Sequence, residues 1–301
     1  MFMKKIIECV PNYSEGRDIS KVEKIVDCFR GKTGVKLLDY SSDADHNRSV
    51  VTVIGEPDPL VEAVVCSIGV AMDLIDLNKH KGQHPRMGAV DVIPYIPIRN
   101  VGIRDADECA KKTGELAASR FGLPVILYEK SASAPHRSDL AEIRKGEFEG
   151  MAAKLRDARW KSDFGPDTIH PTAGVTAIGA RMPLIAYNIK LGTSDLSIAT
   201  EIAKKIRHRN GGFRYCKAMG VELKDRGIVE VSMNLTDYDK TAIYRVFETV
   251  RMECRRYGVQ VIGSEIVGLV PMKALIESAA YYLGLENFSA EQILENRIWM
   301  D

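Results

Sequence analysis

The same order of hydrophobic periods occurs twice in this chain of 301 residues, and that repetition limits the fold more than any single motif does. In the first half, Ile6 to Val10 reads as a buried strand. Asp18 then caps a helix running to Phe29, with Ile19, Val22, Ile25, Val26 and Phe29 at helical spacing. Strands rich in β-branched residues follow over Val35 to Tyr40 and Ser49 to Ile54, on either side of the polar turn Ser41 to Arg48. A helix over Pro59 to Leu77 and a strand over Val90 to Ile96 complete the pattern βαββαβ. A helix from about Asp105 to Phe121, a short strand Pro124 to Leu127 and a charged helix near Leu140 to Leu155 extend this half. Beyond the polar linker Arg159 to Pro171 and the stretch Val175 to Ile178, the order recurs. Strand Leu184 to Ile189, helix Asp195 to Arg207, strands Ala218 to Leu223 and Ile228 to Leu235, helix Thr241 to Tyr257 and strand Val259 to Ile262 form the second βαββαβ. This pattern predicts an α+β fold of two ferredoxin-like subdomains, residues 1–180 and 181–301, each an antiparallel sheet with helices on one face. Two such units side by side leave a cleft between their sheets, a preferred place for a ligand.

Charge excludes two classes of partner. Lys plus Arg number 42 against 41 Asp plus Glu, so there is no net positive field to collect nucleic acid or an anionic membrane. The 45% hydrophobic and 28% charged content is that of a globular chain. The start, Met1 to Pro11, has basic residues but an apolar run cut at Glu8, which is not the pattern of a signal peptide. The longest apolar segment, Val61 to Leu77, is interrupted by Glu62, Asp73 and Asp76 and does not read as a membrane span. Cys9, Cys28, Cys66, Cys109, Cys216 and Cys254 include no C-x-x-C pair, as expected of free thiols in a reducing cytosol. A cytoplasmic location is expected.

Chemistry concentrates in His80-Lys-Gly-Gln-His84-Pro-Arg86-Met-Gly88. Pro85 disfavours helix at the residue before it, and Gly82 and Gly88 weaken it on either side, so ionisable groups are held on a constrained loop. His80 and His84 have the spacing of two metal ligands on a helix face, but the helix is spoiled and no third ligand is evident, so no metal is expected. Either histidine could act as a general acid/base or be bonded to backbone. Asp43-Ala-Asp45-His46-Asn47-Arg48 is a turn in its own right, yet Arg48 leads directly into a buried strand, where its fork could bind a carboxylate. Asp163-Phe164-Gly165-Pro166, followed by His170-Pro-Thr172-Ala-Gly174, either punctuates the chain or offers Phe164 to a flat heterocycle. Arg207 to Arg214 reads as a helix C-cap with cationic neighbours. No phosphate loop, Rossmann fingerprint or G-x-S-x-G elbow is present.

Longer segments carry a resemblance. Glu8-Cys-Val-Pro-Asn-Tyr-Ser-Glu-Gly16, Asp45-His-Asn-Arg-Ser49, His84-Pro-Arg-Met-Gly-Ala-Val-Asp-Val-Ile-Pro94 and Asp163-Phe-Gly-Pro166 resemble the glutamate formimidoyltransferase family. So do Gly179-Ala-Arg181, Ala186-Tyr-Asn188, Val231 to Tyr238 and Gly263 to Pro271, collinear from residue 6 to about 285. The resemblance implies two ferredoxin-like subdomains around a folate-binding groove, a homodimer and a role in histidine degradation and one-carbon metabolism. In animals the family's transferase is fused to a cyclodeaminase domain, which this chain is too short to contain, so that step, if the host performs it, is expected on another polypeptide. The implied reaction moves the formimino group of N-formimino-L-glutamate to N5 of the co-substrate tetrahydrofolate, and the family's catalytic histidine falls on His84. One imidazole can take a proton as N5 bonds to the amidine carbon and return it to the departing glutamate nitrogen. Folate contacts fall on Asp163, Phe164, Gly165, Pro166, Thr172 and Gly174, with a second region around Asn210 to Lys217. Arg48, Arg86 and Arg181 are expected at the substrate carboxylates, and Asp43, Asp45 or Glu8 beside the amidine, although Ser41 stands where some members carry an acid. A 5-formyltetrahydrofolate-dependent glutamate formyltransferase, a glycine formimidoyltransferase and a noncatalytic folate-binding protein remain as alternatives, since formyl and formimino groups are nearly isosteric.

Overall fold

Apolar alternation and its interruptions explain most of the backbone. The computed structural model describes residues 5–299. It divides into two compact units, one ending at Arg181 and the next beginning at Met182. No helix among the described residues is long and apolar enough to cross a membrane.

The first unit contains β1 (Ile6–Cys9), β2 (Asn12–Tyr13), α1 (Ile19–Val26), β3 (Val35–Asp43), β4 (Arg48–Gly55), α2 (Pro57–Leu74), β5 (Val90–Arg99), α3 (Ile103–Phe121), β6 (Val125–Leu127), α4 (Leu140–Arg144), α5 (Glu147–Lys154) and β7 (Thr176–Ala180). Its seven strands form one sheet in which β1 and β2 both lie between β4 and β5, as two pieces of one line broken at Val10-Pro11. β3 pairs with β4 at one edge, and β7 and β6 follow β5 on the other side. Asp18 caps α1 by accepting from the N–H groups of Ser20 and Lys21. Along β4 the residues alternate buried and half-buried, Ser49, Val51 and Val53 turning into a core shared with α1, α2 and α3.

Two features depart from the sequence expectation. The stretch around Val175 to Ile178 is β7, which pairs parallel with both β5 and β6, so this sheet is mixed rather than antiparallel. Parallel strands need cover on both faces, and a second apolar layer of Val92, Ile126, Ile143, Met151, Leu155 and Ala177 provides it through α4 and α5. Helices therefore lie on both faces here, not one. The helix expected over Leu140 to Leu155 is two, because Gly146 adopts φ +97° between α4 and α5.

The second unit contains β8 (Ile185–Leu191), α6 (Leu196–Ile206), β9 (Cys216–Leu223), β10 (Ile228–Leu235), α7 (Ile243–Arg256), β11 (Val261–Val267), α8 (Met272–Leu283) and α9 (Leu294–Trp299). Its sheet is antiparallel in the order β11-β8-β10-β9. Strict alternation turns Ile185, Tyr187, Ile189 and Leu191 into a core with Ile202, Val246 and Val250.

Backbone packs on backbone where the loops of the first unit meet. A Cβ on Gly82 would stand 2.2 Å from the His46 carbonyl oxygen, and one on Gly88 would stand 2.2 Å from that of Val175. Gly174, at φ +71°, is equally close to the Met87 oxygen. Hydrogen bonds stitch the same crossings: Ala89 N–H donates to Ala173 O at 2.9 Å, Val175 N–H to Met87 O at 2.9 Å and Gln83 N–H to Asp45 O at 3.1 Å. Gly88→Ala is expected to cost at least about 1–3 kcal/mol, because the obstructing atom is backbone. Gly150→Ala, in α5 with nothing within 4 Å, is expected to gain up to about 1 kcal/mol of helix propensity. Urea denaturation midpoints of the two variants should move in opposite directions.

Candidate active site

The turn that joins β3 to β4 lies against the histidine loop that joins α2 to β5. Asn47 is the hinge between them: buried, at φ 49°, it accepts from Gly16 N–H at 2.9 Å and donates to the Lys81 carbonyl at 3.0 Å. Four segments, around residues 16, 47, 82–88 and 174, are thereby held as one rigid surface.

The two histidines of the loop have different environments. His80 Nε2 lies 2.9 Å from the Asn47 carbonyl, and Arg86 Nε donates to His80 Nδ1 at 3.3 Å. A ring nitrogen that accepts from a guanidinium carries no proton, so His80 is the Nε2–H tautomer with both nitrogens engaged. His84 is half-buried, and its ring stands 6.5 Å from that of His46 at an interplanar angle of 61°. Burial, then the charges of Arg48 and Arg144, and then His46 and His80, lower the His84 pKa to about 3. His84 is therefore a neutral imidazole at physiological pH.

Arg48 is held by donating to the Asn12 side chain through Nη2. Burial and the nearby charge of Arg144 depress its pKa to about 10. Asp91, which is 1% exposed, accepts from Met87 N–H at 2.9 Å. Arg144 Nη2 stands 2.5 Å from the other oxygen of Asp91, an ion pair whose angles leave that oxygen outside hydrogen-bond alignment. Arg48 Nε, Asp91 Oδ2 and Arg144 Nε are buried and lack a hydrogen-bond partner. Asp91 and Arg144 were not expected from the sequence. The available signal was a lone carboxylate inside the apolar run Val90-Asp-Val-Ile-Pro-Tyr-Ile.

The other expected residues separate into groups. Arg86 is 9% exposed, and its fork is occupied by Glu147 at 2.9 Å and Glu149 at 2.7 Å, so it secures α5 to the loop. Asp43 accepts from the His46 N–H, which lowers its pKa, and pairs with the His46 ring at 2.9 Å, while Asp45 is exposed. Thr172 lines a cavity of about 360 Å³ with Glu15, Lys21, Asn47 and His80. Gly174 supports the crossing beneath Met87. Asp163 to Pro166 is fastened to β6 and α3. Asp163 accepts from Leu127 N–H at 2.7 Å and Arg137 Nη1 at 2.8 Å, while Phe164 closes over Gly114 and Gly165 takes φ +83° beside Leu123. Pro166 is exposed. Arg181 donates its N–H to Tyr95 O at 3.0 Å, and its charge opposes the burial that raises the pKa of Glu8. The structure thus brings Arg48, His84, His46 and Asp43 together and fastens Asp163 to Pro166 through other partners. Among the described residues no three His, Cys, Asp or Glu side chains are grouped to hold a metal ion.

A family profile described as the formiminotransferase domain, N-terminal subdomain, matches residues 6–181, and the formiminotransferase domain profile matches residues 186–298. The chain is 50% identical over 297 residues to the glutamate formimidoyltransferase of Streptococcus pyogenes serotype M1, covering 98% of this chain and 99% of that protein. It is 44% identical to the glutamate formimidoyltransferase of Thermoplasma acidophilum, covering 97% of each. The formimidoyltransferase-cyclodeaminase of Dictyostelium discoideum is 40% identical over 98% of this chain, which spans 56% of that protein.

Free imidazole binds a proton near pH 6.5, and folded His84 binds one near 3. Between those values the unfolded chain holds the extra proton. The His84 contribution to stability is therefore complete above about pH 6.5 and is lost as the pH falls towards 3. Imidazole NMR of His84 should show no titration between pH 8 and 5, and His84→Gln should flatten the acid limb of stability. A His84 midpoint near 6.5 in the free protein would contradict the environment described.

Proposed function

The chain belongs to the formiminotransferase family, and from that premise we propose that it transfers the formimino group of N-formimino-L-glutamate to N5 of tetrahydrofolate, with His84 as general acid/base. The observation that carries the role of His84 is its neutral ring on a rigid loop beside half-buried Arg48. Neutral His84 can take the proton that N5 loses as it bonds to the amidine carbon. Because burial and the neighbouring cations make His84 a strong acid once protonated, it hands that proton readily to the glutamate nitrogen, which leaves as an amine. His80, fixed by Asn47 and Arg86, is fully committed and keeps the loop in register. Asp43 holds His46 beside His84 and is the expected carboxylate of the site.

Arg48 binds a substrate carboxylate in this reading, its guanidinium having no carboxylate partner among the described residues. Arg86 acts through Glu147 and Glu149 to shape the loop. Tetrahydrofolate is the co-substrate, and a cytoplasmic homodimer is the working form. The order β3-β4-β1-β5 within the first sheet and β11-β8-β10-β9 in the second support reading both units as ferredoxin-like, with β7 and β6 added to the first.

Transfer is followed as the methenyltetrahydrofolate chromophore formed on acid treatment. His84→Ala is expected to lower kcat by about a hundredfold to ten-thousandfold while the affinity for tetrahydrofolate is kept. Activity in the wild type with formiminoglycine or 5-formyltetrahydrofolate, and none with formiminoglutamate, would move the assignment to that donor. Folate binding without any turnover would make the chain a binding protein.

A further inference from the structure

Arg144 pairs with the buried carboxylate of Asp91 in β5, and Arg48 donates to Asn12 in β2, the strand between β4 and β5, where the charges of Arg144, Asp91 and Asp43 all act on it. Each guanidinium also buries an Nε–H that bonds to nothing. Buried N–H donors of this kind are ordinarily satisfied by protein, water or ligand, and a carboxylate is the acceptor that a guanidinium binds most strongly. Both cations bear on His84, and the carboxylates whose charges act on Arg48 are engaged elsewhere, Asp91 by Arg144 and Met87, and Asp43 by His46.

We propose that Arg144 and Arg48 form a two-guanidinium cradle for the α-carboxylate of the formimino donor, an assignment that rests on the reaction proposed above and makes Arg144 a specificity-determining residue. In an N-formimino amino acid the carboxylate is attached to the carbon next to the nitrogen that leaves. Any pose that brings that nitrogen to His84 therefore brings the α-carboxylate to the groups around His84, among which Arg48 and Arg144 are the permanent cations. The γ-carboxylate lies farther along the side chain and is not addressed by the cradle. Formiminoglycine, which keeps the α-carboxylate, should satisfy it; N-formimino-4-aminobutyrate, which keeps only the distal carboxylate, should not. Binding of the carboxylate also offsets the positive field on His84, so that its basicity rises when the donor is in place.

The test compares kcat/KM for these three donors in the wild type, Arg144→Gln and Arg144→Lys. The wild type is expected to prefer formiminoglutamate over N-formimino-4-aminobutyrate by about ten- to a hundredfold, the effect of a charged hydrogen-bonding pair. In Arg144→Gln that preference should fall by about tenfold or more, with the KM for tetrahydrofolate unchanged and formiminoglycine losing as much as formiminoglutamate. Arg144→Lys should recover part of it. An undiminished preference in Arg144→Gln would overturn the cradle. Should that variant fail to fold because Asp91 loses its ion-pair partner, Arg144→Lys and Arg48→Lys decide the matter by keeping charge and removing the fork. Titration of wild-type protein with L-glutamate and with 4-aminobutyrate gives a second readout: only L-glutamate should raise the His84 pKa seen by imidazole NMR, and equal effects would reject the cradle. If the wild type uses none of the three donors, the proposed reaction fails, and this titration still tests the cradle.

Discussion

A carboxylate buried in an apolar strand organises the first unit. Asp91 sits in β5 at 1% exposure, where an unpaired charge would cost several kcal/mol. It accepts the Met87 N–H, which fixes the end of the histidine loop, and it draws Arg144 from the end of α4. From there the dependence spreads outward. The turn after Arg144 starts α5, whose Glu147 and Glu149 occupy Arg86, and Arg86 in turn fixes the tautomer of His80. Breaking such a buried pair typically costs about 3–5 kcal/mol, so the loop geometry is held by a strong local constraint rather than by loop propensity.

That constraint also creates the electrostatics of the site. Arg144 is present for Asp91, but its charge falls on Arg48 and His84 as well. The result is an imidazole held neutral among cations, the opposite of the carboxylate-supported histidine of a hydrolase triad. A site of this sign favours an anionic substrate, and in the reaction proposed here it favours passing a proton onward over retaining it. The backbone crossings at Gly82, Gly88 and Gly174 keep this field in a fixed geometry, because any side chain there would meet a carbonyl oxygen at about van der Waals overlap.

Legibility in the sequence varied by element. Strands with one half-buried face were plain from their alternation, as in β4 and β8, and α1, with its Asp18 cap, was equally readable. β7 was not, because a strand buried on both faces has no alternation to show. β2 is two residues long and continues β1 beyond a proline, too short to carry a period. The break at Gly146 was written in the chain, yet a glycine within a helical pattern is compatible with either outcome until packing selects one. Of the site, the loop with His80, His84 and Arg86 and the turn with Asp43 and Arg48 were visible as unusual local compositions. Nothing local distinguished Arg144 from the other charges of its helix, or the committed fork of Arg86 from the available one of Arg48.

The sequence alone therefore determined the duplicated α+β order, the constrained histidine loop and the family, because these depend on periodicity and on residues adjacent in the chain. Tertiary structure decided which ionisable groups share an environment: Asp91 with Arg144, Arg86 with Glu147 and Glu149, and His84 with two guanidiniums. The physical reason is that charge acts through space and burial. Groups more than fifty residues apart set one another's protonation, which no local pattern in the chain encodes.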